Sequence, residues 1–213
     1  MPVIITKYRR RYEKAMGLPI RVKKVTPIDY LAFERGAEGR HEYFDGEIFA
    51  MSGGTARHRL IQTNLLAVLW HALKGRPCTV YNNDLRILID KAGLYTYPDA
   101  SIICGALEFP AGEDDIVLNP TVIFEVLSDS TEAYDRGRKF GHYRQIPSLE
   151  EYVVISQKEP LIETNRRNLD QTWTMTESRG TSATMILASV GLTLSLAEIY
   201  DRVDFSQTDS STS

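Results

Sequence analysis

Apolar residues recur along the chain with two periods, and the changes between them mark out its elements. Ile61, Leu65, Val68, Leu69 and Ala72 share one face of a 3.6-residue repeat, so residues 57–73 read as an amphipathic helix of roughly four turns. A shorter helix is expected over Ile28–Arg35, with Thr26 as N-cap, Pro27 at the first position and Asp29 in the first turn. Between them, HEYFDGEIFAMS over 41–52 is two short apolar-rich segments joined at Asp45-Gly46, a hairpin signature, and Gly53-Gly54 ends it. Strand-like runs follow at Thr79–Ile89, Tyr97–Cys104 and Thr121–Leu127. A second helix spans Asp135–Gln145 and stops before Pro147, and Glu151–Ser156 is a further strand. Leu161–Thr176 reads as a terminal hairpin turning around Asn168–Gln171. The order of helix, three strands, helix and strand predicts an α/β sandwich core.

Composition places this pattern in one ordinary globular unit: 213 residues, 43% hydrophobic and 25% charged. The expected organisation is a basic arm over 1–25, a single domain over 26–205 and a disordered Ser/Thr/Asp tail over 206–213. Net charge is −3, but residues 1–24 hold eight Lys/Arg against Glu13 alone, leaving the rest at −10. Such an arm suits phosphate contact, or is simply a solvated terminus. The acidic body argues against a passive nucleic-acid coat, and its acids are better suited to holding metal. The long uncharged stretch Gly180–Ala197 is broken by Ser, Thr and Gly and is too polar to span a bilayer. With no secretory signal visible, a cytoplasmic protein is expected. Cys78 and Cys104 lack CxxC spacing and are expected to be buried, reduced thiols.

Glu125 is the most informative residue, because it interrupts the apolar run Thr121–Leu127. Burying an unpaired carboxylate costs several kcal/mol, so Glu125 must be protonated, ion-paired or metal-bound. In a strand it shares a face with Ile123 and Leu127, while Val122, Phe124 and Val126 share the other. Asp99, in Tyr97-Pro98-Asp99, opens a neighbouring strand, and two converging carboxylates suit one hard cation such as Mg²⁺.

The order of these residues resembles the Uma family of restriction endonucleases within the PD-(D/E)XK nuclease superfamily. The resemblance rests on Pro98-Asp99, on Glu125-Val126-Leu127-Ser128, and on Asp135 with Lys139 and Tyr143, preceded by His41 to Glu47 and by His58. It implies a restriction-endonuclease-like αβββαβ core with a mixed central sheet, an N-terminal β-hairpin and a C-terminal hairpin extension. The implied activity is hydrolysis of DNA phosphodiester bonds by metal-activated water. Asp99 and Glu125 would be the Mg²⁺ ligands, with Mn²⁺ as a substitute, and Glu42 would complete the set. The implied partners are DNA and, to cut both strands, a second copy of the chain, with no membrane. A catalytically inactive binding module of the same fold is the alternative. The pattern departs at Leu127, where a catalytic lysine would stand two residues after Glu125. Lys139 is the candidate replacement, although Asp135 and Lys139 at i, i+4 could equally form a surface pair. His58 would contact phosphate or position Glu42, or else serve only as a helix-start residue.

Overall fold

The computed structural model describes residues 24–51, 53–129 and 131–206. The basic arm, apart from Lys24 and Val25, and the tail beyond Ser206 lie outside these residues. Helix α1 (Pro27–Glu34) starts where expected, with the Thr26 hydroxyl accepting from the Asp29 amide at 3.1 Å. Strands β1 (His41–Phe44) and β2 (Glu47–Ala50) form the predicted hairpin. Its two turn residues, Asp45 and Gly46, both adopt positive φ (50° and 84°), as a two-residue turn between twisted strands demands.

Helix α2 (Ala56–Leu73) is capped by Thr55. Strands β3 (Cys78–Asn82), β4 (Arg86–Ile89), β5 (Leu94–Thr96), β6 (Ala100–Cys104), β7 (Ile116–Val117) and β8 (Val122–Val126) follow. Residues Glu132–Tyr134, Asp135–Lys139 and Phe140–Tyr143 run on as helix α3, whose middle segment is a π turn. Beyond it come β9 (Glu151–Ile155), β10 (Leu161–Arg167), β11 (Trp173–Arg179), β12 (Thr184–Leu187), β13 (Leu192–Ser195) and the short helix α4 (Leu196–Ile199).

The central sheet is six-stranded and mixed, in the order β11-β10-β9-β8-β6-β3. Only β8 and β9 in it are parallel, and α3 supplies the crossover such a pair needs. Its elements α2, β3, β6, β8, α3 and β9 are the expected αβββαβ core. A second sheet, β2-β1-β5-β4-β7, contains the hairpin. Val122, Phe124 and Val126 pack with α2 and with the β12–β13 unit through Ile61, Leu65, Leu69, Met185 and Leu194. Ile123 and Leu127 face the other way, against Tyr143, Ile146 and Tyr152. This is the two-faced alternation expected of β8.

Four expectations need correction. Thr79–Ile89 is two strands in two different sheets, parted by a turn at Asn82–Leu85, because a continuous apolar count cannot see a change of sheet. Tyr97–Cys104 begins only at Ala100, since Pro98 has no N–H to give a ladder, and the upstream residues 94–96 belong to the smaller sheet. Cys78 and Cys104 are not free thiols: they are register partners across β3 and β6, 4.0 Å apart at Cα, and form a disulfide. Pairing register, not sequence spacing, brought them together. The stretch 180–197 holds the β12–β13 hairpin and the start of α4, a second C-terminal extension beyond the predicted one. Among the described residues no helix is long and apolar enough to cross a membrane.

Candidate active site

The site forms where β8, the start of β6, the hairpin and α3 meet. Asp99 stands one residue before the Ala100–Phe124 pair of β6 and β8. Its Oδ2 accepts from the Val126 amide at 2.8 Å, which anchors the carboxylate beside Glu125. Glu125 is buried, as are all five residues of β8. Burial of a carboxylate there is offset by two donors: Tyr143 donates its hydroxyl to Oε1 at 2.8 Å, and Lys139 Nζ lies 2.9 Å from the same oxygen.

Helix α3 makes this possible. Asp135, Lys139 and Tyr143 are four apart and all buried. A π turn carries more residues than an α-helical turn, so a four-residue spacing stays closer to one line, and the π segment covers Asp135–Lys139. The Lys139 ammonium also reaches Glu42 Oε1 at 3.2 Å and Asp135 Oδ1 at 3.7 Å. Glu42 comes from β1 and accepts from the Thr96 hydroxyl. Thus Lys139 is not half of a surface pair. It is a buried cation among three carboxylates, reaching Glu125 from a helix instead of from the strand position held by Leu127.

His58, on the first turn of α2, places Nε2 3.2 Å from Asp99 Oδ2. It therefore stands beside Asp99, at the start of its helix. Gly54 lies against the imidazole: a Cβ there would sit 2.6 Å from His58 Nδ1, so no larger residue fits without moving the ring. Gln62, one turn further along α2, donates to the Asp99 carbonyl at 2.9 Å and to Oδ1 at 3.3 Å. Sequence reasoning missed Gln62. Its i+4 relation to His58 was the available signal.

Electrostatics follow from the count of charges. Burial pushes the Glu125 carboxyl up to about 8; Lys139 opposes the rise, and Asp135 and Asp99 reinforce it. Burial likewise raises Asp135 against the pull of Lys139. Burial alone would lower the Lys139 ammonium, but Glu125, Tyr143, Glu42 and Asp135 drive it well above its ordinary value, so it stays charged. Tyr143 is raised by burial and then by Glu125, and remains a neutral donor.

Glu42, His58, Asp99, Glu125, Asp135 and Lys139 all line one open cavity of roughly 760 Å³. Arg40 and Arg59 line it as well. With the Asn83 amide oxygen turned toward them, it accepts from both guanidiniums, at 3.0 and 3.1 Å. One wall is therefore acidic and another basic. Among the described residues no three His, Cys, Asp or Glu side chains are assembled as a ready metal cage. The donor set nevertheless fits a hard divalent cation: carboxylate oxygens dominate, with Glu42, Glu125 and Asp135 around one ammonium and Asp99 beside Glu125.

The profile of the Uma2 family, described as "Putative restriction endonuclease", matches residues 27–197. The chain belongs to the Uma2 family. All the cavity residues named above fall within the matched span. The uncharacterised protein slr1290 of Synechocystis sp. is 36% identical over 182 residues, covering 85% of this Uma2 chain and 94% of that protein. The uncharacterised protein sll1609 of the same organism is 34% identical over 161 residues, covering 76% and 91%. A crystal structure described as a putative nuclease belonging to DUF820, from Anabaena variabilis, matches with a TM-score of 0.67 over 83% of this chain and 97% of its own. At 18% identity that likeness concerns the fold alone, an α/β restriction-endonuclease-like fold.

Proposed function

We propose that this Uma2 protein is a Mg²⁺-dependent endonuclease that hydrolyses phosphodiester bonds of DNA, with Mn²⁺ as a working substitute. The observation that carries the reading is the buried Lys139 ammonium 2.9 Å from Glu125, beside Asp99, in a cavity that also presents Arg40 and Arg59. Asp99 and Glu125 would hold the cation, with Glu42 as the third carboxylate. Such an ion, when bound, supplies Lewis-acid charge for the phosphate and makes hydroxide accessible at neutral pH.

The remaining roles belong to the chain. Lys139 offsets negative charge developing on the phosphate and orients the attacking water, a charge preorganised by Glu42, Glu125 and Asp135. His58 and Gln62 hold Asp99 in its rotamer, and Tyr143 holds Glu125. Arg40 and Arg59 offer guanidiniums to a neighbouring phosphate. Cutting both strands with one cavity per chain calls for two copies, so a homodimer acting on DNA completes the proposal.

Supercoiled plasmid incubated with the protein and Mg²⁺ or Mn²⁺ tests it. Nicked or linear product that vanishes in EDTA and in Glu125→Gln supports the reading. Tight DNA binding with no cleavage under either ion would instead make the chain a nuclease-fold binding module.

A further inference from the structure

Helix α3 carries a second stripe next to the one that meets Glu125. Tyr134, Arg138 and His142 are again four residues apart, one position before Asp135, Lys139 and Tyr143. This stripe faces the β1–β2 hairpin, whose residues Glu42 and Phe44 alternate onto one face and whose Phe49 pairs directly with Glu42. Together with Leu94, these side chains enclose a recess of roughly 330 Å³. Glu42, Phe49 and Tyr134 line both this recess and the carboxylate cavity, so the two adjoin.

The lining has a particular chemistry. Phe44 and His142 rings lie 4.8 Å apart, and Phe49 is 46% exposed despite its apolar ring. Burial, helped by Arg138, lowers the His142 imidazole, and its Nδ1 is buried without a hydrogen-bond partner among the described residues. Arg138 is exposed and has no carboxylate partner among the described residues, which leaves a cation at the rim of an aromatic slot.

We infer that this recess receives a nucleobase next to the scissile phosphate, stacked against Phe49 and its aromatic neighbours while Arg138 meets the adjoining phosphate. The inference rests on the nuclease reading above. A base can enter only after leaving its own stack, so the favoured substrate is single-stranded or locally unpaired nucleic acid. Aromatic rings accept any base face, so the slot selects strand state more than sequence.

The test uses the full chain with Ca²⁺ in place of Mg²⁺ and short oligonucleotides carrying one 2-aminopurine. Anisotropy of a terminal dye reports binding, and 2-aminopurine emission reports transfer of the base into the slot. The expected result is tighter binding of a single strand than of its duplex, with a clear emission change. Phe49→Ala should abolish that change and weaken binding about tenfold, in the range of one lost stacking contact, while Phe49→Tyr retains both. Unchanged emission during a full anisotropy rise overturns the recess and leaves the nuclease reading intact. So does an emission change that survives in Phe49→Ala. Equal affinity for duplex and single strand also overturns it. If no nucleic acid binds and none is cut with Mg²⁺, the nuclease reading fails and the recess inference fails with it.

Discussion

Replacing Lys139 by Met removes the one ammonium from a cluster of carboxylates while keeping most of the buried stem. Nζ lies within 4 Å of Glu125, Glu42 and Asp135, and the side chain is only 7% exposed. Breaking a buried ion pair by deleting one partner costs about 3–5 kcal/mol. For a chain of this size, where each kcal/mol moves the melting temperature by about 2–4 °C, the expected drop is about 6–20 °C at pH 8 without metal. The drop must depend on pH. Glu125 and Asp135 already have folded-state values raised by burial, and losing Lys139 raises them further. Groups of that kind bind more protons folded than unfolded, so stability falls as pH rises from the ordinary carboxylate range toward and past 8. At pH 5 the carboxyls protonate cheaply, and the deficit shrinks to lost hydrogen bonds, about 1–2 kcal/mol. Differential scanning calorimetry of wild type and Lys139→Met from pH 5 to pH 9, in EDTA, measures the gap. Mg²⁺ should narrow it at pH 8 by replacing the missing positive charge. Cleavage, in contrast, should stay about 100-fold or more below wild type with Mg²⁺ present, because the lysine acts on the transition state. A melting gap of constant size across this pH range would refute the charge argument and reduce Lys139 to a packing residue.

Mg²⁺ or Mn²⁺ should raise the melting temperature of wild type by mass action, and Asp99→Asn and Glu125→Gln should flatten that response. In EDTA above about pH 8, Glu125→Gln should melt higher than wild type, since it removes one acid from an acidic excess; a lower melting point there contradicts the electrostatic account. Gly54→Ala should push the His58 ring off Asp99 and lower the cleavage rate by up to about 100-fold, whereas unchanged turnover would mean that His58 only fills space. Reducing the Cys78–Cys104 disulfide, which closes a loop of sequence separation 26, should lower stability by about 3 kcal/mol; equal melting with and without reductant argues against a structural bridge.

Much of this architecture follows from local pattern. The Asp45-Gly46 turn, the 3.6-residue repeat of α2 and the alternation of β8 each depend on neighbours a few residues away, and these elements formed as the sequence indicates. Glu125 was conspicuous because a carboxylate in an apolar strand run is costly wherever the strand goes. The resemblance offered Lys139 as its cation, but spacing alone left that lysine equally a surface partner of Asp135. Lys139 reaches Glu125 only because a π turn aligns Asp135, Lys139 and Tyr143 and because α3 crosses from β8 to β9. His58 and Gln62 reach Asp99 by long-range packing of α2 on the sheet, and Cys78 meets Cys104 through strand register. Spacing along a chain determines periodicity and turns, because those energies are local. Which distant side chains share a cavity is decided by how sheets pair and helices cross, and here that packing turned four scattered acids and one lysine into a single charged cluster.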